Sequence, residues 1–356
     1  MALTMAFVGE TVPQARVGRA MGLLGTMSAA GTALGPSLGG LLIAACGWPA
    51  IFLINVPLGL TILLLIHRYL PVDGIRRQVL QRRFDVMGTL LLALTLAAYA
   101  LAMTVGRGNL GTRNIGLLIT AFIGIGLFVL AERRARSPLI RLAMFRQASL
   151  RANLAMSLLV STVMMATLVV GPFYLSHTLG LGAGWLGLVL SVGPLCAAMA
   201  GVLAGRLVDD LGTHRMIRMG LSGIVIGCVL LSVIPASQGA MGYMLPIVVL
   251  TIGYALFQTA NNTAVMMDVH PDQRGVISGL LNLSRNLGLI TGASVMGALF
   301  TYASGTSDIT TASSEAVATG MQITFAMAGL LIFIALLTAG GTRAADVRPV
   351  LAEEAS

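Results

Sequence analysis

The chain alternates long apolar segments with short polar connections. Ten of these segments contain roughly 20 residues with few charges, the pattern typical of helices that cross a membrane. They lie at residues 20–45, 50–67, 86–106, 115–131, 152–175, 183–205, 216–235, 243–267, 276–302 and 319–340. The pattern therefore predicts an all-α polytopic membrane protein.

The composition agrees with this prediction. Of the 356 residues, 56% are hydrophobic and 10% are charged, and the mean hydropathy is +0.90. A soluble domain carries roughly 25% charged residues. The chain has too few charges to cover a water-exposed surface, which excludes a soluble protein.

The net charge of +9 is the difference between 22 basic and 13 acidic residues, and all the basic residues are arginines. Arg107 and Arg113 lie in the other connections, and Arg285 lies well inside the segment 276–302. The remaining arginines lie in or beside alternate connections or in the C-terminal tail. Such an asymmetry is typical of segments that stay in the cytoplasm. The charge thus predicts a cytoplasmic C-terminus and contact with a lipid bilayer, rather than nucleic-acid binding.

The sequence offers little for catalysis or for a bound metal. Cys46, Cys196 and Cys228 lie inside apolar segments without paired spacing, which favours small buried side chains. There is no HExxH motif, and no pair of carboxylates lies near the middle of a span. We therefore predict a protein that is not an enzyme and has no metal or cofactor. A polytopic membrane enzyme such as an acyltransferase is the less favoured alternative.

Two stretches of the chain resemble each other. Residues 13–35 and 271–292 both open with a Pro-x-x-Arg loop and continue into a glycine-spaced helix. At an offset of 257 residues four glycines coincide: Gly18, Gly22, Gly31 and Gly35 correspond to Gly275, Gly279, Gly288 and Gly292. Parallel repeats of this kind build two-halved transporters, so the first half would lack about 110 residues before Met1. The alternative is a native ten-span protein with an N-terminal cytoplasmic arm.

Several motifs follow one another along the chain. Residues 31–40 read GTALGPSLGG, and 47–60 read GWPAIFLINVPLGL. RRFDVMG at 82–88 and SPLIRLAMFR at 137–146 flank two apolar segments; GRLVDDLGTHRMIRMG follows at 205–220 and PDQRGVISGLLNLSRNLG at 271–288. In this order and spacing the chain resembles the major facilitator superfamily, and within it the fourteen-helix drug:proton antiporter branch. The resemblance covers essentially the whole chain.

This resemblance implies an incomplete major-facilitator fold with ten full transmembrane helices and a partial N-terminal one. Residues 1–67 would be the remnant of the N-terminal bundle, and 68–151 would hold two linker helices, at about 86–106 and 115–131, with Arg-rich loops. Residues 152–340 would form the C-terminal six-helix bundle, and 341–356 a cytoplasmic tail.

The resemblance also implies a function. It predicts efflux of small hydrophobic drugs or antibiotics across a bacterial cytoplasmic membrane by alternating access, with protons as the coupling ion in the full-length form. None of the 13 acidic residues lies near the middle of a span, and in the family the coupling acid belongs to the early helices. A truncated fragment that no longer transports is the alternative interpretation.

The stretch 31–40 matches the antiporter motif of the fifth family helix. Its motif residues are Gly31, Gly35, Pro36, Gly39 and Gly40. Glycines at this spacing share one helical face and allow a second helix to approach closely, while Pro36 bends the helix. The resemblance implies that this helix packs against its counterpart at 276–302 and influences the direction of transport. A role in packing alone is the other interpretation.

A set of polar residues inside the spans predicts the lining of a cavity. These residues are Asn55, Gln258, Asn261, Asn262, Asn282 and Arg285. Hydrogen bonds between helices would explain the amides equally, because buried amides need partners. Arg285 could face the cavity and meet an anionic group, or extend its charge to the membrane surface.

The connection at 205–220 resembles the family's cytoplasmic loop motif through Gly205, Asp209, Gly212 and Arg215. Asp209 could pair with an arginine at a neighbouring helix end and hold one conformation. Asp210 departs from the motif, which has a basic residue at that position. A solvated loop without such a role is the alternative.

Overall fold

A computed structural model describes residues 2–69, 85–105, 111–135, 138–267, 269, 273–305 and 312–353. The side chains at 2, 33, 36–41, 43, 44, 183, 236 and 340–353 lie outside this description. All the regular secondary structure of the described residues is helical.

The first part of the chain forms a short helix and then a long one. The helices are α1 (Ala2–Thr11), α2 (Val17–Cys46), α3 (Ala50–Leu53) and α4 (Asn55–Tyr69). Helix α2 has 30 residues and is about 45 Å long, enough to cross a membrane. It runs through 31–40 without interruption. Membrane helices tolerate glycine and proline, because neighbouring helices can satisfy the freed backbone groups.

The same continuity bears on a possible enzyme motif. The string GPSLG at residues 35–39 fits the G-x-S-x-G pattern of serine hydrolases. That pattern acts only where a strand turns sharply into a helix, because the turn exposes the serine. Here it lies inside α2, so the structural context of a hydrolase site is missing.

Eight further helices follow. They are α5 (Val86–Val105), α6 (Thr112–Arg134), α7 (Ala148–Phe173), α8 (Ala183–Leu211), α9 (Thr213–Val233), α10 (Gly239–Met267), α11 (Arg274–Ala303) and α12 (Ser314–Glu353). Within the described residues, nine helical segments are long and apolar enough to cross a membrane. They correspond to the predicted spans from 50–67 onward, and the predicted span 20–45 lies in α2. The prediction of an all-α polytopic membrane protein is confirmed.

The core lies among the helices of the C-terminal half. Val160 of α7, Leu221 of α9, Leu250 of α10 and Phe325 of α12 are all fully buried there. Helices α5 and α6 form a hairpin that contacts this core through α11. One such contact joins the hydroxyl groups of Tyr99 and Thr291 at 2.5 Å. The C-terminal half therefore provides the packed scaffold.

The sequence repeat is also a repeat of helix bounds. Helix α2 begins at 17 and ends at 46, and α11 begins at 274 and ends at 303, so both ends differ by the same 257 residues. In α11, Gly288 and Gly292 lie against the backbone of α7. A Cβ atom on Gly288 would be 3.1 Å from the carbonyl carbon of Leu158, and one on Gly292 would be 2.9 Å from Cα of Thr162.

Helix α2 packs mainly against α8, and glycines form that contact. A Cβ atom on Gly205 would lie 2.7 Å from the carbonyl oxygen of Gly18 and 2.9 Å from Cα of Arg19. One on Gly22 would lie 2.9 Å from Cα of Gly205. We call the contact of Gly18 and Gly22 with Gly201 and Gly205 the glycine seam. The implied packing of α2 against its counterpart at 276–302 is wrong, because α8 and then α10 are its main partners.

The antiporter-motif glycines do not take part in this seam. A Cβ atom built on Gly31 or Gly35 would meet no described atom within 4 Å. The close approach predicted at these two positions is therefore absent from the described structure. The side chain of Pro36 and the surroundings of Gly39 and Gly40 lie outside the described residues.

The seam generates a first prediction. Replacing Gly205 with alanine should lower the stability of the protein by about 1–3 kcal/mol, because the methyl group meets backbone atoms that cannot move aside cheaply. The control is Gly187→Ala in the same helix, where no described atom lies within 4 Å of the added carbon. Thermal unfolding in detergent measures both variants. Equal melting temperatures for the two would contradict the tight seam.

Candidate functional site

A cavity of about 310 Å³ lies between α2 and the C-terminal helices. Its walls come from α2, α7, α8, α10 and α11. Apolar side chains form most of the lining, among them Met164, Leu168, Val189, Leu190, Ile247 and Leu289. A largely apolar cavity with a few polar groups is the usual form of a small-molecule site.

Small residues face each other across this cavity. Gly25, Ser28, Ala29 and Thr32 lie on one face of α2, at the spacing of successive helical turns. On α8 the facing lining residues include Gly193, Ala197 and Gly201. The backbones touch at the glycine seam, and the cavity lies beyond it, alongside Gly25 to Thr32 of α2. Space for a ligand thus exists where the two helices no longer touch.

The polar part of the cavity is built by Tyr254, Gln258 and Arg285. Tyr254 and Gln258 lie one turn apart on α10, and the tyrosine hydroxyl lies close to the Gln258 side chain. The positive charge of Arg285, from α11, acts on the same hydroxyl group. Of the predicted lining residues, Gln258 and Arg285 reach this cavity. Sequence reasoning missed Tyr254, because a single tyrosine in an apolar span looks like core.

The remaining amides of α10 and α11 surround a second, much smaller cavity. Asn261, Asn262 and Asn282 line a space of about 20 Å³, which is room for one water molecule. Asn261 is 1% exposed, and its Oδ1 has no hydrogen-bond partner among the described residues. Asn282 accepts a hydrogen bond from Asn286 at 3.3 Å. These three residues do not line the larger cavity.

The two cavities share one wall. Tyr254, Gln258 and Arg285 line both of them, so these side chains separate the small amide cavity from the larger apolar one.

Asn55 lies elsewhere. It is exposed on α4, and its Nδ2 donates a hydrogen bond to the carbonyl oxygen of Ile51, 3.0 Å away. It lines neither of these two cavities. The amide alone did not indicate which face of the helix it occupies.

Asp209 links α8 to the N-terminus of α2. Its Oδ1 accepts a hydrogen bond from the backbone N–H of Gly18 at 2.8 Å, and its Oδ2 accepts one from that of Arg19 at 3.1 Å. Both N–H groups belong to the first turn of α2, where the helix dipole is positive and favours a carboxylate. Asp209 thus caps a helix of the other half of the chain.

An ion pair accompanies this cap. Nε of Arg19 lies 3.5 Å from Oδ2 of Asp209, but the Arg19 side chain is 54% exposed. An exposed partner of this kind contributes about 1 kcal/mol or less. The two backbone hydrogen bonds are therefore the stronger part of the contact.

The other loop-motif residues serve the geometry of this region. Gly205 belongs to the glycine seam, one helical turn from Asp209. Gly212 joins α8 to α9 with φ of +85°, a backbone conformation that favours glycine. Arg215 is exposed. The end of the bundle that carries Arg19, Asp209 and Arg215 is called the arginine-rich end below.

Residues 1–293 match the family described as Major Facilitator Superfamily. The riboflavin transporter RibZ of Clostridioides difficile (strain 630) is 28% identical over 300 residues, which cover 84% of this chain and 64% of that protein. The multidrug resistance protein Stp of Mycobacterium tuberculosis is 29% identical over 299 residues, covering 83% and 55%.

A third relative is the tetracenomycin C resistance and export protein of Streptomyces glaucescens. It is 28% identical over 293 residues, which cover 81% of this chain and 54% of that protein. This chain therefore spans between about half and two thirds of the length of these relatives.

The fold is similar to that of solved transporters. The human organic anion transporter MFSD10 (TETRAN) aligns with a TM-score of 0.60 at 16% identity, covering 95% of this chain and 67% of that one. At this level of identity the likeness shows a common fold. Since the family match extends over most of the sequence, the chain belongs to the Major Facilitator Superfamily.

Proposed function

We propose that this chain is the larger part of a fourteen-helix exporter of small hydrophobic compounds, drugs or antibiotics among them, in a bacterial cytoplasmic membrane. The observation that carries this proposal is the cavity between α2 and the C-terminal helices, which lies beyond the seam where α2 and α8 touch. Two relatives are named for multidrug resistance and for antibiotic export. Their names support efflux as the direction of transport.

Alternating access would follow from the same geometry. A carrier that rocks two bundles against each other needs a contact that closes one side and can open again. The glycine seam and the Asp209 cap provide such a contact, because they join one helix of each half at the arginine-rich end. The positive-inside rule assigns this end to the cytoplasm. The described state would then be closed to the cytoplasm.

The first bundle would be completed by further helices. In α2 the pair Gly18 and Gly22 is packed, while Gly31 and Gly35 have no described atom within 4 Å of an added carbon. In α11 the pattern is reversed: the equivalents Gly288 and Gly292 are packed, and Gly275 and Gly279 are open. Each open pair therefore has a packed counterpart in the other half. Counterparts of α7 and α8 in the first half would fill both open positions.

Helix α4 supports the same conclusion. The segment Ser314–Ala339 follows α11 as α4 follows α2. In its apolar stretch of 18 residues 44% of the residues are buried, whereas none are buried in the corresponding stretch of Ala50–Tyr69. A helix that belongs to a bundle normally buries one face. If the missing contacts are never made, the chain is the transport-inactive fragment of the alternative interpretation.

In the full-length exporter, protons would be the coupling ion. Among the described residues that line the two cavities, none is an acid. A coupling carboxylate would therefore be supplied by helices that precede α1, as the resemblance implies.

A variant that removes the charge of the Asp209 cap tests the efflux function. We expect Asp209→Asn to lower the initial rate of dye efflux about tenfold, since a carboxylate bound by backbone N–H groups contributes about 1.5–3 kcal/mol. Asp210→Asn is the matched control, because Asp210 is the exposed neighbour and should leave the rate unchanged.

The measurement compares the 356-residue chain with a full-length form, which is extended at the N-terminus by the coding sequence upstream of Met1 in the same reading frame. Each is expressed in an efflux-deficient bacterium, and the cells are loaded with anionic, neutral and cationic hydrophobic dyes. A protonophore should stop efflux by the longer form. If no dye is exported by either form, the proposed function is wrong. If both aspartate variants export at the wild-type rate, the cap has no role in transport.

The orientation is tested with a natural cysteine. Cys46 is exposed at the last position of α2, at the end opposite Asp209, whereas Cys228 is buried. A membrane-impermeant maleimide added to intact spheroplasts should label the protein, and Cys46→Ser should abolish the labelling. Labelling only after the membrane is opened would place the arginine-rich end outside.

A further inference from the structure

Arg285 occupies an unusual depth for a charged residue. It lies eleven residues after the first residue of α11, a helix of 30 residues. This places it about 16 Å along a helix of about 45 Å, in the central third. A charge at such depth is costly in a membrane and is usually retained for a function.

No described neighbour neutralises this charge. Its neighbours in the cavity wall are the Tyr254 hydroxyl and the Gln258 amide, which are uncharged. No Asp or Glu is among the described lining residues of either cavity. The ion pair formed within the described residues is that of Arg19 with Asp209, at the arginine-rich end. The guanidinium group therefore has N–H donors available for an acidic group of a ligand.

The geometry also opposes an extension of Arg285 to the membrane surface. An arginine that reaches for the surface lays its stem along its own helix. Here the side chain instead lines the same two cavities as Tyr254 and Gln258 of α10. The charge therefore faces the interior of the bundle, where a ligand would lie.

From this we infer that Arg285 determines substrate specificity, and that the cavity takes amphiphilic anions with an apolar, aromatic-sized body and one carboxylate or comparable acidic group. The inference rests on the proposed function and names the substrate class of the same cavity. The guanidinium fork would hold the acidic group in a bidentate manner. The Tyr254 hydroxyl and the Gln258 amide add donors, while Leu168, Leu190 and Ile247 contact the apolar body.

The same charge discriminates against lipophilic cations. Two like charges that approach within a few ångströms in a poorly hydrated cavity repel each other far more strongly than in water. No described lining residue carries a negative charge that would offset this repulsion. Neutral compounds would bind through the apolar wall alone.

The test uses three ligands that share one naphthalene body: 1-naphthoate, 1-naphthamide and 1-naphthylmethylammonium. Binding to the full-length protein in nanodiscs is measured by isothermal titration calorimetry at pH 7.5. We expect the carboxylate to bind about tenfold more tightly than the amide, because a hydrogen bond to a charged group is worth more than a neutral one. The ammonium compound should bind weakest.

Variants then assign the preference to one residue. Arg285→Gln should remove the difference in affinity between the carboxylate and the amide. In Arg285→Lys the carboxylate should still bind about threefold more tightly than the amide, since lysine supplies the charge without the guanidinium fork. Tyr254→Phe, which removes only a hydroxyl group, should weaken carboxylate binding more than amide binding. Arg113→Gln is the control, because Arg113 is exposed and outside both cavities.

The outcomes separate this inference from the proposed function. Equal or tighter binding of the amide or ammonium ligand to the wild type would overturn the anion site, as would an unchanged preference in Arg285→Gln. Failure of all three ligands to bind would overturn it as well. Dye efflux of neutral or cationic compounds would meanwhile leave the exporter intact. The wild-type ligand series decides the question even if the Arg285 variants do not fold.

Discussion

A missing side chain at Gly18, Gly22, Gly201 and Gly205 lets the backbones of α2 and α8 touch. Lipid tails are as apolar as leucine, so burial of apolar area does not drive membrane helices together. Close packing between the helices drives their association instead. The Asp209 carboxylate adds a directional interaction with the first turn of α2. Among the described residues, the space further along α2 from this contact is a cavity with small residues on one wall.

Much of the fold could be predicted from the sequence, because the bilayer permits few solutions. An apolar segment of sufficient length must form a helix whose backbone groups satisfy one another. The spans and the repeat followed from hydropathy and glycine spacing, and the equal offset of the bounds of α2 and α11 matches that repeat. Hydropathy gives no information on which face of a helix meets which neighbour. The partner of α2 was taken from the family resemblance instead, and that prediction is wrong because α8 is the main partner.

The site illustrates the same limit. Gly18, Gly22, Gly31 and Gly35 are equivalent in sequence, yet only the first pair is packed in the described structure. A signal was present, since Gly201 and Gly205 repeat four residues apart just before Asp209. Asn55 and Gln258 are both amides in apolar spans, but one is exposed and the other lines the cavity. Residue type predicts that a polar group needs a partner, and only packing determines which one.

The distribution of charge connects the seam to the cavity. Asp209, the acid that contacts α2, is used at the end of the bundle, where helix N–H groups and Arg19 satisfy it. Arg285 lies deeper, among uncharged donors, and an incoming anion would satisfy it in the way that Arg19 and the helix satisfy Asp209. The charge of Asp209 thus holds α2 and α8 together, while the charge of Arg285 is available to bind a ligand. If binding of an anion compensates Arg285, the loaded cavity carries less net charge than the empty one, and its closure costs less desolvation.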